Sequence, residues 1–181
     1  MVLRAEESVL VIVDMQPTFM APIHEVGRVL KRCQFLAQVA RRLEVPMIAT
    51  AQYPDRMGGV ALEIGQLLEA PVIGKMSFSC FGEVKFQDAL ERYGRGQVVI
   101  CGIESHICVT QTVLDLIDEG LEVYVVGDAV SARTEEMHKL AVKRLRDMGA
   151  MLVHSESVAY EWLGTAEQEA FRDVLALVKA Q

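Results

Sequence analysis

Three side chains suited to nucleophilic chemistry each lie just past a short apolar run: Asp14, Lys75 and Cys108. A cysteine thiolate attacks carbonyl carbons, a carboxylate can accept and return the thiol proton, and an ammonium stabilises the thiolate. The carboxyl ends of parallel strands meet at one edge of a sheet, so residues far apart in the sequence can converge there. The sequence therefore predicts that these three residues lie near one edge, as does Asp128 after a fourth run.

Cys108 is the candidate nucleophile among the four cysteines. With Ser105 as N-cap, Cys108 falls in the first turn of a predicted helix, where free N–H groups and the helix dipole favour a thiolate. A nearby Lys75 ammonium is expected to lower the thiol pKa further. Cys33 lies on an amphipathic stripe and Cys101 inside a strand, so both are interpreted as small buried apolar residues. Cys80 stays undecided between the two interpretations.

Asp14 and Lys75 each have a structural interpretation as well. A carboxylate directly after five apolar residues must be hydrogen-bonded, paired or functional, because an isolated buried charge is too costly. Asp14 is therefore either a partner for a backbone amide or a lysine, or a general base for the thiol. Lys75 is either a solvated surface lysine, the usual place for lysine, or part of the same site.

Metal and phosphate motifs are missing from the sequence. The four histidines form no HExxH motif or closely spaced pair, and His106 with Cys108 lacks a second pair of ligands, so no metal is predicted. Two residues apart on a helix, His106 and Cys108 point in different directions, which disfavours a Cys–His pair. Residues 69–76 lack the first glycine and final Ser/Thr of a phosphate-binding loop. No cofactor is predicted.

The elements that would position these residues alternate along the chain. Apolar runs predict strands at Val9–Val13, Met47–Ala51, Val72–Ile73, Val98–Cys101, Glu122–Val126 and Met151–Val153. Apolar stripes and capping signals predict helices at 26–43, 83–92, 106–119, 135–148 and 166–179, the last capped by Thr165 with Gln168. This alternation predicts one α/β domain over 1–181: a mainly parallel sheet with helices on both faces, a Rossmann-type three-layer arrangement.

Composition excludes several classes of protein. The 181 residues are 51% hydrophobic and 24% charged, which is typical of a folded domain. A net charge of −7 disfavours nucleic acid and membrane surfaces as partners. The longest apolar run, Val9–Val13, is far short of a membrane span, and there is no signal-peptide pattern. The cysteines show no disulfide framework, so a reducing, cytoplasmic location is expected. A mean hydropathy of +0.24 leaves apolar surface to cover, which is compatible with a homo-oligomer, a dimer or larger.

Four segments together resemble the isochorismatase-like, or cysteine hydrolase, superfamily. They are Val-Leu-Val-Ile-Val-Asp-Met-Gln-Pro-Thr-Phe (9–19), Gly-Lys-Met-Ser-Phe-Ser (74–79), Cys-Gly-Ile-Glu-Ser-His-Ile-Cys-Val (101–109) and Val-Gly-Asp-Ala-Val-Ser-Ala-Arg (126–133). Each segment by itself matches the family's pattern only weakly, but the four in this order are specific for the family. The predicted order of strands and helices matches too, so the resemblance covers nearly the whole domain, in its small, uncharacterised branch.

The resemblance implies a catalytic triad of Asp14, Lys75 and Cys108. It also implies a cis peptide between Ile103 and Glu104, which would aim the N–H groups of Glu104 and Cys108 at the substrate's carbonyl oxygen. The implied reaction is metal-independent hydrolysis of a small amide or carbamoyl group through a thioester intermediate. Members commonly form homo-oligomers.

Departures from the family's pattern narrow the function. Nicotinamidases of the superfamily bind a metal through an aspartate and histidines after the second strand. The corresponding stretch here, Thr50–Arg56, has no histidine, so no zinc is predicted and nicotinamidase activity is disfavoured. True isochorismatases cleave a vinyl ether and lack the thiol, so Cys108 favours the acyl-enzyme route. The alternatives are vinyl-ether hydrolysis and a silent binding or scaffold protein. The substrate pocket is expected to include Gln16, Phe19, Tyr53 and Phe78, and Glu104 either adds a carboxylate to it or points away.

Overall fold

The computed structural model describes residues 2–181. Its six strands are β1 Ser8–Val13, β2 Met47–Gln52, β3 Ile73–Lys75, β4 Gln97–Ile103, β5 Glu122–Ser131 and β6 Met151–Val153. Every neighbouring pair is parallel, and the strands lie side by side in the order β3-β2-β1-β4-β5-β6. The predicted mainly parallel sheet is confirmed.

Nine helices connect and cover these strands in the described part of the chain. They are α1 Pro17–Met20, α2 Val26–Arg42, α3 Pro54–Met57, α4 Leu62–Gly65, α5 Val84–Tyr93, α6 Thr110–Asp118, α7 Glu135–Asp147, α8 Ser155–Leu163 and α9 Phe171–Lys179. A π-helical turn, Ser105–Val109, leads from β4 into α6. Residues 2–181 include no helix with the length and apolar character that crossing a bilayer requires.

Strand β1 is buried on both faces, and its alternate side chains enter two separate cores. Leu10 and Ile12 pack with apolar residues of α2, α8 and α9, whereas Val9, Val11 and Val13 pack with those of α5, α6 and α7. A continuous apolar run is what a doubly covered parallel strand requires. The predicted three-layer arrangement, with helices on both faces, is confirmed.

The chain reverses its direction of progress across the sheet at β1. Strands β2 and β3 lie on one side of β1, and the chain then crosses over to β4 on the other side. Such a switch point leaves a crevice at the carboxyl ends of the two strands between which the order changes, and ligands of open parallel sheets bind there. In this protein the crevice lies between the ends of β1 and β4.

Strand β5 extends beyond its predicted end at Val126. It continues through Gly127 and Asp128 to Ser131. Its pairing with β4 shifts within this stretch, since Ile100 pairs with Val125 whereas Gly102 pairs with Val130. The glycine and aspartate that suggested a turn lie in this bulge, after which pairing resumes.

The C-terminal region differs most from the expectation. Helix α8 was not predicted, and α9 begins at Phe171 instead of 166. The oxygens of Thr165 and Gln168 accept hydrogen bonds from backbone N–H groups two residues on, in local turns before the helix. Such local side-chain bonds are an alternative to helix capping, which explains the misplaced start.

Candidate active site

Asp14 and Lys75 form a buried ion pair at the carboxyl edge of the sheet. Asp14 directly follows β1 and Lys75 ends β3, and the carboxylate Oδ2 lies 2.8 Å from the ammonium Nζ. Their exposed fractions are 3% and 2%. Lys75 thus lies buried at this edge and is not a solvated surface lysine.

Lys75 is held on several sides. Its ammonium donates to Gln52 Oε1 and to the carbonyl oxygens of Ser77 and Phe78, the latter two at 3.2 and 3.1 Å. Burial opposes the charged form of the lysine, but the charge and hydrogen bond of Asp14 together with Cys108 and Cys80 outweigh it, and the pKa of Lys75 is raised. The lysine is therefore a fixed cation beside Asp14.

Thr50 orients the other oxygen of the carboxylate. Its hydroxyl donates to Asp14 Oδ1 at 2.8 Å, and the residue is fully buried on β2. Sequence reasoning missed Thr50 because a threonine inside an apolar strand has no signal beyond its polarity. Its position opposite the end of β1 follows from the pairing of β1 with β2.

Cys108 lies in the π-helical turn after β4 and is 6% exposed. Burial and then the Asp14 charge raise the pKa of its thiol to about 12, and the Lys75 ammonium offsets this only in part. The prediction of a lowered pKa is wrong, because the site is buried and Asp14 repels the thiolate. At neutral pH the cysteine is a neutral thiol beside an ion pair.

A cavity of about 110 Å³ opens over the thiol. It is lined by Asp14, Phe19, Gln52, Phe78, Ile103, Glu104, Ile107 and Cys108. Phe19 and Phe78, two of the residues predicted for the substrate pocket, are among these lining residues. Gln52 and Ile107 were missed, since nothing in their local sequence distinguishes them.

Gln16 and Tyr53, also expected in the pocket, are not among its lining residues. The Gln16 side chain is buried, donating to the carbonyls of Gln52 and Gly58 and accepting from the Gln52 N–H, so it pins the chain after β2. Tyr53 is 39% exposed, in left-handed backbone at φ 44°.

The turn after β4 differs from the expected geometry. The predicted cis peptide between Ile103 and Glu104 is wrong, because every peptide bond among residues 2–181 is trans. Glu104 instead adopts left-handed backbone, with φ 55° and ψ 53°. This left-handed residue turns the chain sharply at the end of β4. The Glu104 N–H donates to no oxygen of the described chain.

Asp128 lies outside this site. Its carboxylate accepts hydrogen bonds from the N–H and hydroxyl of Ser155 at the start of α8, and lies 3.3 Å from Arg32 Nε and 3.2 Å from His154 Nε2. It caps α8 and joins that helix to α2, which is a structural role.

The remaining cysteines are fully buried, and all four cysteines are free. Cys33 and Cys101 lie in the core. Cys80 lies beside the site, with its Sγ 3.6 Å from the Thr50 hydroxyl, and burial raises the pKa of its thiol to about 11. Residues 2–181 contain no group of three or more His, Cys, Asp or Glu side chains placed to hold a metal ion.

Larger clefts elsewhere on the surface carry less chemistry. One of about 650 Å³ lies at the opposite, amino-terminal end of β2, among residues that include Arg41, Glu69 and Tyr93. It is lined by no cysteine, serine or histidine among the described residues. The small cavity over Cys108 remains the candidate active site.

Known proteins resemble this chain along nearly its full length. The family model of the isochorismatase domain matches residues 8–157. The secreted isochorismatase effector Isc1 of Phytophthora sojae is 36% identical, over 95% of this chain and 84% of its own. Human isochorismatase domain-containing protein 2 is 36% identical, over 95% of this chain and 83% of its own. A solved structure described as MAR1 ribonuclease of Caenorhabditis elegans is 31% identical, has a TM-score of 0.94, and covers 99% of this chain and 93% of its own.

The TM-score of 0.94 agrees with the parallel, three-layer fold described above. Membership of such a family indicates hydrolase chemistry in general terms. On the domain match and the shared sequence, the chain belongs to the isochorismatase family.

Proposed function

We propose that this protein is a metal-independent hydrolase that cleaves a small amide or carbamoyl compound through a thioester on Cys108. The observation that carries the proposal is the buried Asp14–Lys75 ion pair beside the only cysteine with measurable exposure, at the wall of one cavity. A nucleophile, a proton carrier and a fixed cation are the groups that covalent acyl transfer requires.

The reaction begins with Cys108 Sγ attacking the carbonyl carbon while Asp14 takes the thiol proton. The carbon–sulfur bond forms, and the carbonyl electron pair moves to oxygen, where the N–H groups of Glu104 and Cys108 stabilise it. As the carbon–nitrogen bond breaks, Asp14 returns the proton to the departing amine. Water then attacks the thioester, giving its proton to Asp14, and the acid leaves as the thiol is restored.

A raised thiol pKa is compatible with this reaction. Because the resting thiol is neutral, its proton must leave during the attack, and Asp14 is the adjacent acceptor. The Lys75 ammonium keeps one side of that carboxylate occupied, and the Thr50 hydroxyl keeps the other. Asp14 is then held in one orientation for both proton transfers.

The lining of the cavity disfavours the vinyl-ether alternative. Isochorismate carries two carboxylates, and a site for it needs cations to receive them. The described residues that line the cavity include no lysine, arginine or histidine, and the Asp14 carboxylate would repel a second anion. The apolar remainder, chiefly Phe19, Phe78 and Ile107, suits a small neutral substrate.

The proposal is tested by incubating the protein with a panel of small neutral amides and carbamoyl compounds and measuring released ammonia or amine. Cys108→Ala is expected to abolish hydrolysis. Cys33→Ala removes another buried cysteine, in the middle of α2, and is the matched control. This variant is expected to retain hydrolysis. Mass spectrometry of the quenched reaction should find the acyl group on Cys108.

Three results would contradict the proposal. Hydrolysis that survives Cys108→Ala would remove the thiol from the mechanism. Turnover of isochorismate in preference to every amide would favour the ether route. Degradation of RNA that survives Cys108→Ala would favour an activity like that in the name of the C. elegans relative, against the small-molecule substrate proposed here.

We also propose a cytoplasmic, homo-oligomeric protein that uses neither metal nor cofactor and binds neither nucleic acid nor membranes. Four free thiols support a reducing location, and the net charge of −7 supports the absence of polyanionic partners. Cell fractionation tests the location. Finding the protein outside the cell, as the name of the Phytophthora relative describes for that protein, would contradict it.

A further inference from the structure

Glu104 turns its carboxylate toward two basic side chains. Its Oε1 lies 3.4 Å from Arg133 Nε, and its Oε2 lies 3.4 Å from His106 Nδ1. The Arg133 Nη2 in turn lies 3.2 Å from His106 Nε2. The three side chains close a ring that joins the end of β4, the π-helical turn and the segment just after β5.

The geometry of this ring fixes the position of the histidine proton. A guanidinium is always protonated and can only donate, so the His106 Nε2 facing Arg133 must accept. An N–H on the opposite nitrogen, Nδ1, then faces Glu104 Oε2 at 3.4 Å. Both of these atoms are buried, and neither makes a hydrogen bond among residues 2–181. Each is therefore the nearest polar neighbour of the other.

The ring lies directly behind the wall of the cavity. Ile103 and Glu104 line the cavity, and Glu104 holds the left-handed backbone that turns the chain at this point. A non-glycine residue keeps such backbone only where its surroundings hold it. The glutamate side chain, only 17% exposed, has Arg133 beside one oxygen and His106 beside the other, each at 3.4 Å.

We propose that Glu104, His106 and Arg133 are positioning residues that hold the turn after β4 so that the Glu104 N–H faces the developing oxyanion. This inference rests on the proposed thioester mechanism. Arg133 also offsets the glutamate charge, which would otherwise oppose negative charge on the substrate oxygen. The Glu104 side chain, whose direction the sequence left open, thus acts by holding the Glu104 N–H in place.

Two reactions of the same thiol separate this role from a general effect on the fold. Acylation of Cys108 by 4-nitrophenyl acetate passes through an oxyanion, whereas alkylation by iodoacetamide is a displacement at saturated carbon and forms none. Glu104→Ala and Arg133→Ala are expected to slow acylation by about 10- to 100-fold, since misplacing one oxyanion donor costs about that much. Alkylation should change by less than about twofold.

A conservative variant and a matched control sharpen the test. Glu104→Gln retains an oxygen that can accept from His106 or Arg133, so it should recover part of the acylation rate. Glu25 is also a left-handed glutamate, at φ 51°, and also lies beside an arginine and a histidine, Arg28 and His24. Glu25→Ala should leave both reactions unchanged.

The outcomes distinguish this inference from the function on which it rests. Unchanged acylation in the Glu104 and Arg133 variants, or an equal fall in acylation and alkylation, would overturn the positioning role while leaving the thioester mechanism intact. Wild-type protein that is alkylated but never acylated at Cys108 would overturn the proposed mechanism, and this inference with it.

Discussion

At the residue scale, the thiol and the ion pair of the candidate site affect one another through opposing charges. Burial disfavours the Cys108 thiolate, the Asp14 carboxylate disfavours it further, and the Lys75 ammonium favours it. A group whose pKa is raised to about 12 holds its proton throughout the physiological range. Reactivity at neutral pH must then come from proton transfer during attack.

Replacing Asp14 should change the two kinds of thiol reactivity in opposite directions. Asp14→Asn removes a charge that raises the Cys108 pKa, so the pKa falls and alkylation by iodoacetamide at pH 8 speeds up. The gain is about threefold for each unit of the fall, because a thiolate of lower pKa is also a weaker nucleophile. Amide hydrolysis should be lost, because the proton acceptor is gone. Rates across pH 7–11, with the labelled cysteine located by peptide mass spectrometry, check both expectations. Slower alkylation in Asp14→Asn would contradict the pKa argument.

Breaking the ion pair at its other end should cost stability. Lys75→Met leaves the Asp14 carboxylate buried without its cation, which is expected to lower the free energy of unfolding by about 3–5 kcal/mol. The double variant Asp14→Asn/Lys75→Met has no uncompensated charge and should be more stable than Lys75→Met. Urea unfolding curves of the wild type, both single variants and the double variant measure the coupling. If the double variant lost as much free energy of unfolding as the two single variants together, Asp14 and Lys75 would not stabilise one another.

At the element scale, three strands bordering the crevice end in the same way. Asp14, Tyr53 and Glu104 directly follow β1, β2 and β4, and each has left-handed backbone, at φ values of 52°, 44° and 55°. Such residues are uncommon outside glycine and cluster where function demands a sharp turn. Here they turn the chain out of the sheet beside the cavity.

Gly102 lets β4 approach β1 beside this edge. A Cβ built on it would lie 2.2 Å from the Val13 carbonyl oxygen, and its φ of 130° is unfavourable for other residues. Gly102→Ala must push apart the strand ends that carry Asp14 and Cys108. It should destabilise the protein by about 3 kcal/mol or more, or prevent folding.

Gly96→Ala is the matched control, since a Cβ there meets nothing within 4 Å. It should change the unfolding free energy by less than about 0.5 kcal/mol. Circular dichroism and urea unfolding of both variants compare the two. A stable, fully active Gly102→Ala protein would contradict the close approach of β4 to β1.

At the scale of the whole molecule, the switch in strand order explains where the site lies. Residue 14 follows β1, residue 75 ends β3 on one side of β1, and residue 108 lies after β4 on the other side. Only the parallel arrangement brings all these strand ends to one edge. A patch of exposed apolar side chains adjoins the same edge: Tyr53, Met76, Phe78 and Val84. Two hydrogen bonds hold the segments of this patch together: the Tyr53 N–H donates to the Lys75 carbonyl, and the Met76 N–H donates to the Glu83 carboxylate.

This patch makes self-association at the site edge a specific prediction. Apolar surface of this kind often marks an interface, so light scattering should give a mass above the 20.1 kDa of one chain. Val84→Glu, in the patch at 67% exposure, should shift the protein toward the monomer. Leu140→Glu, at 63% exposure on α7, should leave the mass unchanged. A monomeric wild type would contradict the prediction.

The sequence by itself determined most of the framework. A continuous apolar run such as Val9–Val13 requires burial on both faces, and its alternation with amphipathic stripes fixed the parallel three-layer class. The fold class could be predicted because hydrophobic periodicity is a local property. Asp14, Lys75 and Cys108 could be chosen because each is a reactive residue after an apolar run, and their catalytic roles stay a prediction. The capping pattern of Thr165 with Gln168 predicted the start of the last helix too early, because the same side-chain hydrogen bonds also form local turns.

Tertiary structure alone decided how the site is completed. Thr50 reaches Asp14, Gln52 reaches Lys75, and Arg133 reaches Glu104 only after distant segments pack together. The sign of the Cys108 pKa shift likewise depends on burial and on charges brought in from other strands. Electrostatic interactions and hydrogen bonds act through space, so residue spacing along the chain does not contain them.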